Sequence, residues 1–331
     1  MSSYKDTKTV AQELRSEQLT NWLNNERSVD DVFRLLNLRG DGFMALMSPK
    51  LGALKDYIKA FNREKSADES LLKVMTNGFG GEREYAKFLV KAQLEVVPGS
   101  AARSFQTALF NQWLQRNIDP EMLLKNLRLD RGMEDVLADT NLVTLSTYIP
   151  VYNARNPNRK TSLIGTLSAH YGDKEVVNAL YINRDDSRID SLVVNLQRKQ
   201  LAWWLENEKS ADDVFSLLKI ESDDFSPTKG QTLAALGEFV ALLNAINPQH
   251  QTNVFAVLQN RFGGDGQLAR VVIKALDTAD SESVHSSASA ALRYRKALFS
   301  RWFDNNIKPK DIYLKVLKVK RLLLTRWKNR L

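Results

Sequence analysis

One stretch of the chain returns at a fixed distance, and that return limits what the chain can fold into. Leu19 to Leu36, LTNWLNNERSVDDVFRLL, comes back twice in one register. Trp22, Trp113 and Trp204 recur every 91 residues, each followed by a leucine (Leu23, Leu114, Leu205) and preceded by Leu19, Phe110 or Leu201. A looser fourth copy surrounds Trp302. After the first three tryptophans comes a helix-starting residue, Ser28, Asp119 or Ser210. Apolar residues at helical spacing follow: Val32, Phe33 and Leu36; Leu123, Leu124 and Leu127; Val214, Phe215 and Leu218. A long period of this kind marks an array of like units, each in contact mainly with its neighbours.

Two further blocks keep the same register. In the first, Leu54, Tyr57, Ile58, Phe61 and Asn62 are answered by Leu145, Tyr148, Ile149, Tyr152 and Asn153, then by Leu236, Phe239, Val240, Leu243 and Asn244. The i, i+3, i+4, i+7 spacing is that of a helix with one buried face. In the second, an apolar helix ends on an aromatic and a glycine: Phe79-Gly80, Tyr171-Gly172 and Phe262-Gly263. Glycine accepts the positive φ that closes a helix, so these glycines are read as stops. A further helix follows each, giving about five helices per unit. The expected fold is all-α, with tandem helical-bundle repeats of about 91 residues stacked into an elongated rod. The expected units are 1–97, 98–190 and 191–283, with a terminal block and basic tail over 284–331.

Composition narrows the function. There is no cysteine, which removes disulfides and thiolate metal sites. No apolar run approaches the roughly 18 residues of a membrane span. The formal charge of +8 is concentrated, because 308–331 holds nine basic residues against Asp311 alone and the rest of the chain balances. The body therefore disfavours nucleic acid, and an electrostatic partner would have to be sought at Lys318, Lys320, Arg321 and Arg326. That tail reads first as a packed helix with a solvated basic face, and otherwise as a nuclear-import or nucleic-acid patch or as a membrane-surface or calmodulin-type helix. His250 and His285 have no histidine or carboxylate at i+3 or i+4, and His170 has only Asp173 at i+3, beyond the Gly172 stop, so none is expected to build a metal pair. Gly78-Phe79-Gly80-Gly81 lacks the Lys-Ser/Thr of a phosphate loop. Neither enzyme activity nor a cofactor, metal or small-molecule substrate is expected.

The order of a Trp-Leu block with S-x-D-D-V-F-x-L-L, a block ending in Y-x-x-F-N and a block ending in [FY]-G resembles the LWY tandem repeats of RXLR-type effectors from oomycete plant pathogens such as Phytophthora. The resemblance runs from about Leu14 to Leu317. Leu54, Leu145 and Leu236 stand where the family's pattern usually carries tryptophan. The secretion signal and the R-x-L-R motif are absent, which fits a mature or trimmed form. The resemblance implies a monomeric adaptor without catalysis, secreted by the pathogen and acting in the host cytoplasm or nucleus. There it would bind host proteins and suppress immunity. It also implies a candidate partner, the scaffolding subunit of host protein phosphatase 2A. The alternative from another class is a helical repeat protein that binds nucleic acid through its basic tail.

Within the repeated frame, Trp22, Trp113, Trp204 and Trp302, with Phe33, Leu124 and Phe215, are the candidates for packing between units. Each tryptophan either wedges between units or fills its own unit's core. Tyr57, Tyr148, Phe239, Phe79, Tyr171 and Phe262 are expected in the unit cores. Trp203 breaks the pattern, because Asn21, Gln112 and Arg301 occupy its place elsewhere. It is either a partner-binding hot spot or a cover for the nearby loop SDDFSPTKG. The array predicts a radius of gyration in small-angle scattering above the roughly 20 Å of a compact 331-residue monomer; a value at that size would refute stacking into a rod.

Overall fold

Every regular element among the described residues is helical, and Ser28, Ser70, Asp119, Ser210 and Asn253 cap the helices that follow them with their side chains. The structure, a computed structural model, describes residues 2–95, 97–182, 190–226, 229–249, 251–278 and 290–312. The first helices are α1 (Ser2–Asn24), α2 (Val29–Leu35), α3 (Lys50–Lys65), α4 (Leu71–Gly78) and α5 (Glu82–Ala92). Next come α6 (Gly99–Gln115), α7 (Pro120–Asn126), α8 (Met133–Ala138), α9 (Asn141–Arg155), α10 (Leu163–Tyr171) and α11 (Asp173–Ile182). They are followed by α12 (Asp190–Glu206), α13 (Ala211–Leu217), α14 (Gln231–Ile246), α15 (Val254–Phe262), α16 (Asp265–Thr278) and α17 (Ala290–Asp304), and then by the single turn Pro309–Asp311. A short element that the sequence reading did not place lies between the second and third helices of each copy: the 3-10 turns Gly42–Met47 and Ser222–Phe225, and α8.

The corner after each tryptophan is built the same way four times. Glu26, Asn117, Glu208 and Asn306 all take the left-handed conformation, with φ between 49° and 55°. The next residue's amide then returns to the tryptophan carbonyl, at 3.0 Å for Arg27, and at 2.9 Å for Ile118, Lys209 and Ile307. This is the hydrogen-bonding of a helix closed by a left-handed residue, here without the glycine that normally marks it. The following helix opens on a side-chain cap. Ser28 and Ser210 form capping boxes with Asp31 and Asp213, and Asp119 caps α7 with Pro120 behind it. Bonding to the Ser28 side chain, then to the Ser28 amide and to Arg34, holds the Asp31 carboxyl down at about 2.

Two more side chains fix the long third helices. The Tyr57 and Tyr148 hydroxyls donate to the corner carbonyls of Arg27 and Ile118, the latter at 2.6 Å. Burial, the main cause, pushes the Tyr148 phenol up to about 12. Phe239 takes the same place without a hydroxyl. Asn62, Asn153 and Asn244 each clamp the loop that follows, donating to the carbonyl of Glu69, Thr161 or Thr252 at 2.7–2.8 Å and accepting from the same residue's amide at 2.9–3.0 Å. One asparagine thus replaces a pair of backbone bonds, which lets the loop length vary while its two ends stay fixed.

Helix contacts divide the chain into two compact units, Met1–Leu163 and Ile164–Leu331, and this boundary cuts across the 91-residue frame. The first unit's core holds Val32, Phe33, Leu54, Tyr57, Met75, Tyr85, Leu109, Trp113, Leu145 and Tyr148. The second's holds Trp204, Val214, Phe225, Phe239, Leu258, Leu268, Val272, Tyr294, Leu298 and Trp302. Phe79 stacks on Phe88 at 4.1 Å and meets Phe33 edge-on at 5.8 Å. The Phe33 ring lies against the α-carbon of Gly78, where an added Cβ would come within 2.3 Å of it. Gly78→Ala should lower stability by about 1–3 kcal/mol through overpacking. Helix propensity alone predicts a gain of about 1 kcal/mol. A higher denaturation midpoint for the variant would show that the ring has room to move.

Candidate functional site

The polar groups that recur in the frame gather where one repeat's fifth helix meets the first helix of the next. α6, α12 and α17 bring Trp113, Trp204 and Trp302 against the N-termini of α5, α11 and α16, and leave them at most 1% exposed. Each indole N–H donates to the carboxylate that opens the facing helix: Trp113 to Glu82 at 2.9 Å, Trp204 to Asp173 at 2.6 Å and Trp302 to Asp265 at 3.1 Å. A buried indole needs an acceptor, and a carboxylate at a helix start is favoured by the helix dipole, so one residue meets both requirements. The turn in front is made by glycines with positive φ: Gly81 at 94°, Gly172 at 84° and Gly264 at 100°.

A third group joins each pair. Arg116 pairs with Glu82, Gln200 donates to Asp173 at 3.0 Å, and Arg301 lies 3.4 Å from Asp265. At two of the joints the next residue is basic and reaches forward into the following repeat. The Arg83 Nε donates to the Leu127 carbonyl at 3.0 Å, and its guanidinium lies 3.4 Å from Asp139. The Lys174 Nζ meets the Lys219 carbonyl at 3.1 Å and Asp224 at 3.0 Å. Asp224 is buried and also accepts from Thr232 and from the Glu221 amide, so its charge is compensated on both oxygens. Gly266 occupies this place at the third joint.

Sequence reasoning singled out the tryptophans and missed their acids. The signal was present in Gly-Glu-Arg at 81–83 and Gly-Asp-Lys at 172–174, each acid 31 residues ahead of its tryptophan. Of the other candidates, Phe33, Leu124 and Phe215 are buried, as are Tyr57, Tyr148, Phe239 and Phe79. Tyr171 and Phe262 are half-buried. Phe215 meets Phe262 edge-on at 5.5 Å, and the Arg261 guanidinium lies 5.3 Å over its ring. Trp22 is half-buried, edge-on to Tyr57 at 5.6 Å. Trp203 is also half-buried and packs against the second unit's core. Phe303, next to the buried Trp302, is 83% exposed. Lys318, Lys320, Arg321 and Arg326 lie outside the described residues, as do His250 and His285. His170 is half-buried, edge-on to Tyr171 at 4.7 Å.

Variants of one joint should separate the ring from its N–H. Trp204→Ala is expected to cost about 3–5 kcal/mol as a fully buried ring is lost. Trp204→Phe keeps most of the apolar volume and leaves Asp173 one donor short, at about 1–3 kcal/mol. Urea unfolding measures both, and equal losses would show that the hydrogen bond carries the effect of the whole ring.

No family model matches the chain. It is 51% identical over 319 residues to an RxLR effector protein of Phytophthora infestans, a match covering 95% of this chain and 45% of that one. A second P. infestans RxLR effector protein is 40% identical, covering 91% of this chain and 59% of its own length. RxLR effector protein PSR2 of Phytophthora sojae is 29% identical over 93% of this chain and 45% of its own length. Among solved structures, PcRxLR12 shares the fold, with a TM-score of 0.50 and 22% identity over 96% of this chain and 75% of that one. The chain spans about half the length of the curated relatives it matches. All-α and alike over nearly its whole length, it belongs with the RxLR effector proteins of Phytophthora.

Proposed function

We propose that the chain is a pathogen effector that is secreted, enters the host plant cell, and acts there as a non-enzymatic adaptor that holds host proteins and suppresses immunity. The observation that carries this reading is the use of the recurring polar side chains. The acids Glu82, Asp173 and Asp265 each accept an indole N–H, and Asp31, Asp119 and Asp213 cap helices. Groups engaged in this way build a scaffold, and what the scaffold offers a partner is surface. The fold relationship to RxLR effectors supports the same role. Among host proteins, the scaffolding subunit of protein phosphatase 2A is the candidate implied by the resemblance to effectors with tandem LWY repeats.

Trp203 is the proposed contact residue on this scaffold, because a half-buried tryptophan at an otherwise polar position of the frame can give a partner its exposed edge. The test is a titration of the purified chain with the purified plant scaffolding subunit. Trp203→Ala should weaken binding by about 2 kcal/mol, roughly 30-fold, with the melting temperature nearly unchanged. Binding carried by the apolar repeat surface should also vary little with salt, whereas tail-driven nucleic-acid binding would fall steeply. A variant that melts markedly lower while binding unchanged would place Trp203 in the core only. Absence of any binding by the unmutated chain would remove the phosphatase subunit as partner.

A further inference from the structure

The first joint carries more positive charge than its own contacts use. Between α5 and the stretch that runs from the end of α7 through α8 lies a cavity of about 310 Å³, lined by Lys87, Lys91, Arg128, Arg131, Asp135 and Asp139. Leu129 and Val136, both buried, form its apolar floor. Asp139 is fully engaged. Its carboxylate accepts from the Asn141 amide at 2.9 Å and lies 3.1 Å from the Lys87 Nζ and 3.4 Å from the Arg83 guanidinium. Lys91, Arg128, Arg131 and Asp135 are exposed, and among the described residues none of them makes an ion pair or a side-chain hydrogen bond. Beyond the Asp139 cluster, three free cations therefore surround one free carboxylate. The 91-residue frame does not call for this charge. At the second joint Asn178, Ile182 and Ser222 stand in the places of Lys87, Lys91 and Arg131, and only Arg128 keeps a basic counterpart, Lys219.

We propose that this cavity binds a phosphate monoester, carried on a phosphorylated side chain of a partner protein. A phosphorylated side chain brings a charge of about −1.5 to −2 and three acceptor oxygens, which matches three free cations held against one carboxylate. Two of those cations are guanidinium groups, whose forked donors suit phosphate oxygens. An ordinary carboxylate side chain brings a single charge and leaves about half of the excess uncompensated. The apolar floor lowers the local dielectric beneath the cations, which strengthens their pull on an anion. A membrane surface suits the site less well, because Asp130 and Glu134 are exposed beside the cavity and would repel anionic headgroups. The site rests on the adaptor reading only in that the partner is a host protein, and it involves neither Trp203 nor the phosphatase subunit.

The test is a titration of the peptide acetyl-Gly-phosphoserine-Gly-amide with the full-length chain, followed by the phosphorus NMR signal of the peptide. The signal should shift and broaden to saturation. Arg128→Gln with Arg131→Gln should weaken binding about tenfold or more. Lys55→Gln with Lys59→Gln removes the same charge from exposed positions of α3 and should leave binding nearly unchanged. Asp135→Asn, which removes the one free carboxylate, should tighten it. All of these side chains are exposed, so thermal melts of the variants should match that of the unmutated chain. The peptide acetyl-Gly-Asp-Gly-amide should compete only weakly. An unresponsive phosphorus signal, equal weakening by the two paired variants, looser binding by Asp135→Asn or equal competition by the aspartate peptide each overturns the proposal. So does an inert phosphopeptide beside vesicles of phosphatidylcholine and phosphatidylserine that bind the chain through Arg128 and Arg131, which would make the site a membrane contact. No host protein takes part in the titration, so its failure leaves the adaptor role standing, and failure to bind the phosphatase subunit leaves the cavity standing.

Discussion

A tryptophan buried against the start of a neighbouring helix is the contact on which the rest of the arrangement depends. The ring supplies apolar area at the meeting of two repeats, and its one polar atom must find an acceptor there. Glu82, Asp173 and Asp265 provide that acceptor from the position where a helix start most favours negative charge. The glycine turn ahead of each acid, the left-handed corner after each tryptophan and the caps of α2, α7 and α13 then follow geometrically. They set the angle at which the chain arrives at this contact and leaves it.

The distribution of charge follows from the same contact. Arg83 and Lys174 sit beside their acids and reach carbonyls at the ends of α7 and α13, so these two joints tie the fifth helix to two places in the next repeat. Such ties add orientation to the non-directional attraction of apolar surface. At the joints the indoles and their acids satisfy one another, which suits the scaffold role proposed above.

The helices were legible in the sequence because their cause is periodic. Leu54, Tyr57, Ile58 and Phe61 mark a buried face whatever lies opposite, and Ser28, Asp119 and Ser210 mark starts by local hydrogen bonding alone. The corners were less legible, since Glu26 and Glu208 take a left-handed conformation that their side chains do not advertise. The acids were hidden for a further reason. A carboxylate in a first helical turn is already explained by the helix dipole, so Gly-Asp-Lys reads as a local helix start, and only its fixed 31-residue distance to the tryptophan, shared with Glu82, points to Asp173 as the indole's acceptor. Trp22 has the same sequence context as Trp113 and Trp204 but is half-buried where they are buried.

The third group at each joint bears on how similar repeats avoid pairing in the wrong order. Chains with closely related units are prone to misassembly during folding, because a helix can settle on the wrong copy of its partner. Here Glu82 is matched to an arginine three residues after its tryptophan, Asp173 to a glutamine four residues before, and Asp265 to an arginine immediately before. Setting α6 on α11 would bring Leu109 to the place of Gln200 and offer Asp173 a donor only from Arg116, on the opposite side of the tryptophan. The shared indole bond makes every joint possible, and the differing third partner makes each correct pairing distinguishable from its neighbours.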